Sequence, residues 1–197
     1  MAKKISKECV EFVKKFEGFT PTATNKLDGV WTVGYGHTGK DVKRGTTYTL
    51  SRAEIVLVND LMSHQKEVLK YDKIYDWTQS ELDALTSFSF NCGAGNLKKL
   101  LDNGKRNREV IAQKILAYDK CNGRVLKGLA RRRQEEQKMF LSGSKALLKT
   151  AKQVAEEVIA GRWGTGKKRK KALTDAGYDY DTIQSVVNKL MKERTKK

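Results

Sequence analysis

An α+β fold, mainly α, is what this sequence predicts: a helical lobe with one small hairpin sheet near its start, followed by a short three-helix unit. Three observations carry that prediction. Apolar residues recur at i, i+3, i+4, i+7 in several separate stretches. A single Asp28-Gly29 pair, flanked by β-branched and aromatic residues, gives a hairpin signal. Ser142-Gly143-Ser144 then interrupts the helical pattern, which resumes as a new amphipathic run, so the predicted units are residues 1–143 and 144–197.

The first helix is read from Cys9, Phe12, Val13 and Phe16 on one face, with Ser6 as its N-cap and Gly18 as its stop. Glu17 falls in its last turn, where the negative end of the helix dipole and the neighbouring Phe16 and Phe19 both favour the protonated acid. Such a group is suited to protonating a leaving oxygen. The hairpin follows. A two-residue turn at Asp28-Gly29 places Asn25 across from Thr32 and Lys26 across from Trp31, and the returning strand is Val30-Trp31-Thr32-Val33-Gly34-Tyr35. Gly34 and Gly36 permit close approach of backbone or ligand, and Thr32 faces the gap beyond Glu17. Residues 38–48 form a polar connection compatible with more of the same sheet.

Ser51-Arg52-Ala53-Glu54 reads as a capping box that opens a long helix with Ile55, Val58, Leu61, Met62, Val68 and Leu69 inward. A second box, Thr78-Gln79-Ser80-Glu81, opens a helix with Leu82, Leu85 and Phe88 inward, which stops at Cys92-Gly93-Ala94-Gly95. Arg131-Arg132-Arg133 precedes Glu135 and Glu136 at helical ion-pair spacing and reads as a solvated face, unless one arginine turns inward to hold Glu17. In the C-terminal unit Leu148, Ala151, Val154, Ala155, Val158 and Ile159 share a face, and Gly161-Arg162-Trp163-Gly164-Thr165-Gly166 forms a tight loop. A basic helix follows through Lys167, Arg169 and Leu173. The last helix, capped by Asp179 or Asp181, turns Ile183, Val186, Val187 and Leu190 inward.

The net charge is +17, divided almost evenly: residues 1–144 carry 26 basic and 17 acidic side chains, and residues 145–197 carry 14 and 6. A surface of this sign attracts polyanions, either nucleic acid or the anionic polymers and phospholipids of a bacterial envelope. Neither a signal-peptide core nor an apolar run of membrane-span length is present in the sequence, so synthesis in the cytoplasm is expected. Cys9, Cys92 and Cys121, with only His37 and His64 beside them, lack metal-ligand spacing and read as buried free thiols; no metal and no cofactor is expected.

Glu17-Gly18 and the run Gly29-Val30-Trp31-Thr32-Val33-Gly34-Tyr35-Gly36-His37-Thr38 resemble the phage-type lysozymes, glycoside hydrolase family 24. The stretch from Asp83 to Gly93 is similar to that family's central buried helix, and the stretch from Gly128 to Glu136 to its closing helix, so the resemblance spans roughly residues 6–143. It implies a lysozyme-like fold and muramidase activity, cleavage of peptidoglycan between N-acetylmuramic acid and N-acetylglucosamine. Of the family's Glu-Asp-Thr triad, Glu17 matches the general acid and Thr32 the threonine. The Asp position falls on Lys26, a departure, and Asp28, two residues on, is the nearest substitute carboxylate. Asn25, Tyr35 and His37 are the implied substrate-binding residues of this site. A lysine at the face of a developing cation would cost about 4 kcal/mol at 4 Å and an effective dielectric of 20, so Lys26 must point away. Without the second carboxylate, three chemistries stay open: Asp28 substitutes, a water held by Thr32 and Asn25 suffices, or Glu17 acts alone as in a lytic transglycosylase. A catalytically weak wall-binding protein on the same scaffold is the alternative class.

The C-terminal unit resembles the Cpl-seven type cell-wall-binding repeat through Gly161, Trp163, Gly164, Gly166, Arg169, Leu173, Ala176, Gly177, Tyr178, Asp179, Tyr180, Gln184, Val187 and Asn188. The resemblance implies peptidoglycan as partner and argues against nucleic acid. Trp163, Tyr178 and Tyr180 would stack on sugar rings, or else close the small core, and Arg169 would pair with stem-peptide carboxylates. Together the two resemblances imply a monomeric phage endolysin, made in the host cytoplasm and reaching the wall through a holin-type pore.

Overall fold

The computed structural model describes residues 3–25, 29–144, 151–175 and 178–194. Helix α1, Lys7–Glu17, begins where the sequence places it: Ser6 Oγ accepts from the Cys9 amide at 2.9 Å and donates to Asp83 Oδ2 at 2.6 Å. One hydroxyl therefore caps α1 and ties it to the central helix. Cys9 and Val13 are fully buried, and Gly18 ends the helix at φ 70°. The strands β1 (Thr20–Asn25), β2 (Trp31–Gly34) and β3 (His37–Thr38) then form an antiparallel sheet in the order β1-β2-β3.

The register of this sheet differs from the one the Asp28-Gly29 turn predicts. Thr24 lies opposite Thr32 and Asn25 opposite Trp31, so the connection is the five residues 26–30 rather than two. Burial explains the shift. Ala23 and Val33 both belong to the small cluster they form with Val42, and a one-residue slip would turn one of them to the other face. The segment after β3 returns alongside β1, with Ala23 N–H bonded to the Thr46 carbonyl and Tyr48 N–H to the Pro21 carbonyl, both at 2.8 Å.

Helix α2, Leu50–Leu69, starts earlier than expected. Its N-cap is Thr49, whose hydroxyl accepts from the Arg52 amide at 3.2 Å, and not the Ser51 box. Its inward face is also rotated from the expected one: Ala53, Val56, Leu57, Leu61, Gln65 and Val68 are buried, while Ile55 and Met62 are exposed. The stripe that meets α1 and the central helix is covered, and equally apolar positions beside it are not. After the single turn α3 (Asp72–Tyr75), helix α4 (Gln79–Cys92) opens on the expected capping box. Thr78 Oγ1 accepts from the Glu81 amide and Glu81 Oε2 accepts from the Thr78 amide at 2.9 Å. Residues 81–89 of α4 are buried, because α1, α2 and the closing helix all pack on it. Leu82, Ala84, Leu85 and Phe88 join Trp77, Leu97, Leu100, Ile111 and Phe140 in the main core.

Helices α5 (Ala94–Leu101) and α6 (Arg108–Ile115) and a two-residue hairpin, β4 (Lys120–Cys121) with β5 (Arg124–Val125), lead to α7, Lys127–Ser144. The reading of Ser142-Gly143-Ser144 as a linker is corrected here, since α7 runs through all three. A Cβ on Gly143 would lie 2.2 Å from Thr78 Oγ1, so this glycine lets α7 close onto the start of α4. Residues 145–150, with Leu148 of the expected apolar face, lie outside the described residues. The C-terminal helices α8 (Ala151–Ile159), α9 (Gly166–Asp175) and α10 (Tyr180–Arg194) enclose a separate core of Val154, Ala155, Val158, Leu173, Ile183 and Val187. Asp179 caps α10, accepting from the Thr182 amide at 2.8 Å. The chain is thus α+β and mainly helical. All three cysteines are free; Cys9 is buried, but Cys92 is only partly so and Cys121 is exposed, which corrects the expectation for those two.

Candidate active site

The end of α1, the β2–β3 turn, the middle of α2 and the end of α4 surround a cavity of about 240 Å³ lined by Glu17, Gly36, Thr38, Asp60, His64, Phe90 and Asn91. Glu17 enters it because Gly18 ends α1 at that point. Its Oε1 is ion-paired with Arg132 Nη1 of α7. Its Oε2 lies against the β2–β3 turn: a Cβ on Gly36, which has φ 89°, would sit 3.3 Å from it. Glycine here meets both a left-handed backbone and a close approach to the carboxylate. No partner other than Arg132 engages Glu17 among the described residues, so Oε2 is left to the cavity.

The three arginines of α7 diverge. Arg131 is exposed and pairs with Glu135 at 3.3 Å, as a solvated face predicts, and Lys15 joins the same carboxylate at 2.7 Å. Arg132 and Arg133 are buried, which corrects that reading for both. Arg132 reaches Glu17, Glu136 Oε1 at 3.2 Å and Ser87 Oγ at 3.2 Å, so it is the member that turns inward to hold Glu17. Arg133 donates to Asn91 Oδ1 at 2.9 Å and Glu136 Oε1 at 3.1 Å and contacts Cys92 Sγ. Its Nε lies 3.0 Å from Glu136 Oε2 without hydrogen-bond alignment, so that leg of the pair is electrostatic. Burial pushes the Glu136 carboxyl upward against the pull of the two guanidiniums. Breaking a buried pair of this kind typically costs about 3–5 kcal/mol, and here it would also release the arginine that orients Glu17.

On the α2 wall, Asp60 and His64 are four residues apart and project from one side of the helix into the cavity. Asp60 Oδ2 lies 2.8 Å from His37 Nδ1, and His37 Nε2 lies 3.4 Å from Asp41 Oδ2. Tyr48 donates to the same Asp41 oxygen at 3.3 Å and stacks on the His37 ring with centroids 6.2 Å apart. His64 Nδ1 is 3.1 Å from Ser89 Oγ, its ring meets Phe90 edge-on at 5.5 Å, and burial lowers its pKa. Among the described residues no group of three or more His, Cys, Asp or Glu side chains is placed to hold a metal ion.

Of the residues singled out in the sequence, Glu17 is at the cavity. Thr32 is one strand away: it pairs with Thr24 on one side and Thr38 on the other, and Thr38 is the threonine that lines the cavity. Asn25 is exposed on β1. Tyr35 is buried against Cys9, Val13 and Leu57, with Lys14 over its ring and Phe19 beside it, a core position rather than a cleft contact. His37 backs Asp60. Lys26 and Asp28 lie outside the described residues. Phe16 and Phe19 do not enclose Glu17 in an apolar pocket, because Phe16 packs on Phe12 under Arg131 and Arg132, and Phe19 is turned to Tyr35. Sequence reasoning missed Thr38, Asp60, His64, Phe90 and Asn91. The available signal was the Asp60/His64 pair at i, i+4 beside the buried stripe of α2, hidden by assigning that helix the wrong inward face.

In the C-terminal unit, Trp163 packs edge-on against Tyr178 at 5.7 Å and donates Nε1–H to Glu157 Oε2 at 3.1 Å, and both rings border the small core. Arg169 donates to the Gly164 carbonyl at 3.0 Å and reaches Gln184 Oε1 at 3.4 Å, bracing the loop against α10. Tyr180 lies half-buried with Lys170 5.2 Å above its ring. Ala176 and Gly177 lie outside the described residues.

With this geometry in hand, comparison with known proteins gives two family matches, phage lysozyme over residues 14–136 and the CW_7 repeat over residues 152–191. The chain is 36% identical over 146 residues to an endolysin of Bacillus phage B103, covering 71% of this chain and 54% of that protein; it thus spans about half the length of the Bacillus phage relatives it matches. It is 33% identical over 130 residues to a SAR-endolysin of Enterobacteria phage PA-2, covering 64% of this chain and 78% of the relative. Among solved structures, the muramidase domain of SpmX from Asticaccaulis excentricus superposes with a TM-score of 0.62 at 33% identity, over 71% of this chain and 99% of that one.

Proposed function

The chain belongs to the phage lysozyme family and carries a CW_7 repeat, and on that premise we propose that it is a peptidoglycan-degrading endolysin that cleaves the bond between N-acetylmuramic acid and N-acetylglucosamine. Glu17 is the general acid. The observation that carries this reading is the division of labour between its two oxygens: Arg132 holds Oε1, and Oε2 faces the cavity under Gly36. A carboxyl fixed through one oxygen presents the other in a single direction, which is what proton delivery to a glycosidic oxygen needs. The cavity's hydrogen-bonding side chains, Thr38, Asp60, His64 and Asn91, suit a sugar, and Phe90 offers an apolar face for a ring. The muramidase neighbour and the endolysin relatives support the same substrate.

The C-terminal unit holds the enzyme on the wall. Its excess of positive charge, 14 basic against 6 acidic side chains over residues 145–197, adds attraction for anionic wall polymers. Among the described residues no helix is long and apolar enough to cross a membrane.

Glu17→Gln removes the proton and keeps the shape of the side chain. Clearing of suspended bacterial walls is expected to stop in this variant, and continued lysis would remove Glu17 from its role. Mass analysis of the wild-type fragments defines the reaction: reducing-end sugars mean hydrolysis, while anhydro ends mean that Glu17 acts alone in a transglycosylase.

A further inference from the structure

One ring on the cavity wall has its hydrogen bonding set by a hydroxyl behind it. His64 lines the cavity from α2, and its Nδ1 lies 3.1 Å from Ser89 Oγ of α4. Ser89 is fully buried, and its hydroxyl has no other hydrogen-bond partner among the described residues. A buried hydroxyl proton left without an acceptor costs about 1–3 kcal/mol, so Ser89 donates to Nδ1 and the ring carries its own proton on Nε2. Burial lowers the pKa of His64 against the pull of Asp60 and Glu67, so the imidazole is neutral at pH 7. Nε2 has no hydrogen-bond partner among the described residues and is not buried, so it opens onto the cavity that its ring lines. What His64 offers there is a single uncharged N–H donor.

Beside that donor lies Phe90. The two rings meet edge-on with centroids 5.5 Å apart. Phe90 in turn comes close to the acid: a Cβ on Gly36 would lie 3.7 Å from Phe90 Cζ and 3.3 Å from Glu17 Oε2, so a methyl-sized gap separates the aromatic ring from the carboxyl. A hydrogen-bond donor and an apolar ring thus stand side by side next to Glu17. An acetamido group is compact and uncharged and joins a carbonyl oxygen to a methyl, so it meets both at once.

We propose that His64 is a substrate-binding residue that selects N-acetylated glycan, its Nε2–H donating to the carbonyl oxygen of an acetamido group whose methyl rests on Phe90. This rests on the peptidoglycan-cleaving reading of Glu17, which places the glycan in this cavity. A donor locked in one tautomer also discriminates. It pairs with a carbonyl oxygen and not with an ammonium, so a de-N-acetylated sugar loses the hydrogen bond and the methyl contact together.

The test uses the full-length protein and a soluble, uncross-linked peptidoglycan glycan chain, either N-acetylated or chemically de-N-acetylated. His64→Asn keeps an acceptor for Ser89 at the position of Nδ1 and removes the donor. KM for the N-acetylated chain is expected to rise about 3–10-fold with kcat little changed, the signature of one lost neutral hydrogen bond. His64→Gln, whose amide reaches the position of Nε2, should recover most of that loss, an order of variants that a merely structural histidine would not produce. Histidine ¹⁵N NMR gives a readout apart from turnover, with His37 the one other imidazole in the chain. His64 of the free protein should be the Nε2–H tautomer, and in Glu17→Gln its Nε2 resonance should shift on adding the N-acetylated chain but not the de-N-acetylated one. Unchanged KM in folded His64→Asn, the Nδ1–H tautomer, no Nε2 shift with the N-acetylated chain, or the same shift with both chains would each overturn the assignment. Cleavage by Glu17→Gln would instead overturn the glycosidase reading itself, so the two failures are separable.

Discussion

His64 illustrates how a single buried group on the cavity wall shapes pH behaviour. Burial holds its pKa below the ordinary 6.5 in the folded protein, with Ser89 and Phe90 packed on the ring. Above about pH 6.5 the side chain is neutral both folded and unfolded and has no effect on the balance. Below it the unfolded chain takes up a proton that folded His64 refuses, so stability falls with pH until the lower folded value is reached. Urea unfolding between pH 7.5 and 5 should show this loss in the wild-type protein and a shallower one in His64→Gln; equal slopes would show that His64 does not titrate as described. At this scale the sequence was uneven. Ser6 and Thr78 were legible as caps, and Asp179 as one of two candidates with Asp181, because a hydroxyl or carboxylate just before an apolar repeat has few other uses. Asp60 and His64 went unread because their i, i+4 spacing points to a cavity only once the inward face of α2 is known, and that face is set by α1 and α4. The inward turn of Arg132 depends on Glu17, 115 residues away, and could be raised only as one option.

Secondary-structure elements were legible wherever one face alone was apolar. The rotation of α2 marks the limit: Ile55 and Met62 are as apolar as Leu57 and Leu61, and only the positions of α1 and α4 decide which set is covered. The sheet register failed for a similar reason, since Asp28-Gly29 suggested a tight turn while the contact between Ala23 and Val33 demands a longer one. The Ser142-Gly143-Ser144 triplet looks like a linker in composition but serves helix packing. Gly143 touches the capping hydroxyl of α4, so Gly143→Ala inserts a methyl where Thr78 Oγ1 stands 2.2 Å away. The expected cost is about 1–3 kcal/mol, from overpacking and a weakened cap together. A lowered urea midpoint with unchanged slope would register it, and an unchanged midpoint would show that α7 can move aside.

At the scale of the whole molecule, the C-terminal helices among the described residues carry a core apart from the three buried clusters of the preceding unit, in keeping with a helical pattern that starts anew just after Ser142-Gly143-Ser144. The smaller core is built from six buried aliphatic side chains with Trp163 and Tyr178 bordering it. Those aromatics are committed at least in part to packing, so the targeting role proposed above would fall to their exposed edges and the basic flank of α9. Deleting residues 145–197 should lower the fraction that pellets with purified walls while leaving cleavage of a soluble glycan intact; unchanged pelleting would sink the targeting role.

The pairing of Glu17 with Arg132 also imposes an order in time. Glu17 leaves the ribosome before its partner, and the guanidinium that pairs with it comes 115 residues later. At about 5–20 residues per second, roughly 6–23 s of synthesis separates the two. Throughout that interval the nascent chain carries this carboxyl without its partner, so on the role proposed for Glu17 a product truncated anywhere before α7 lacks an oriented acid.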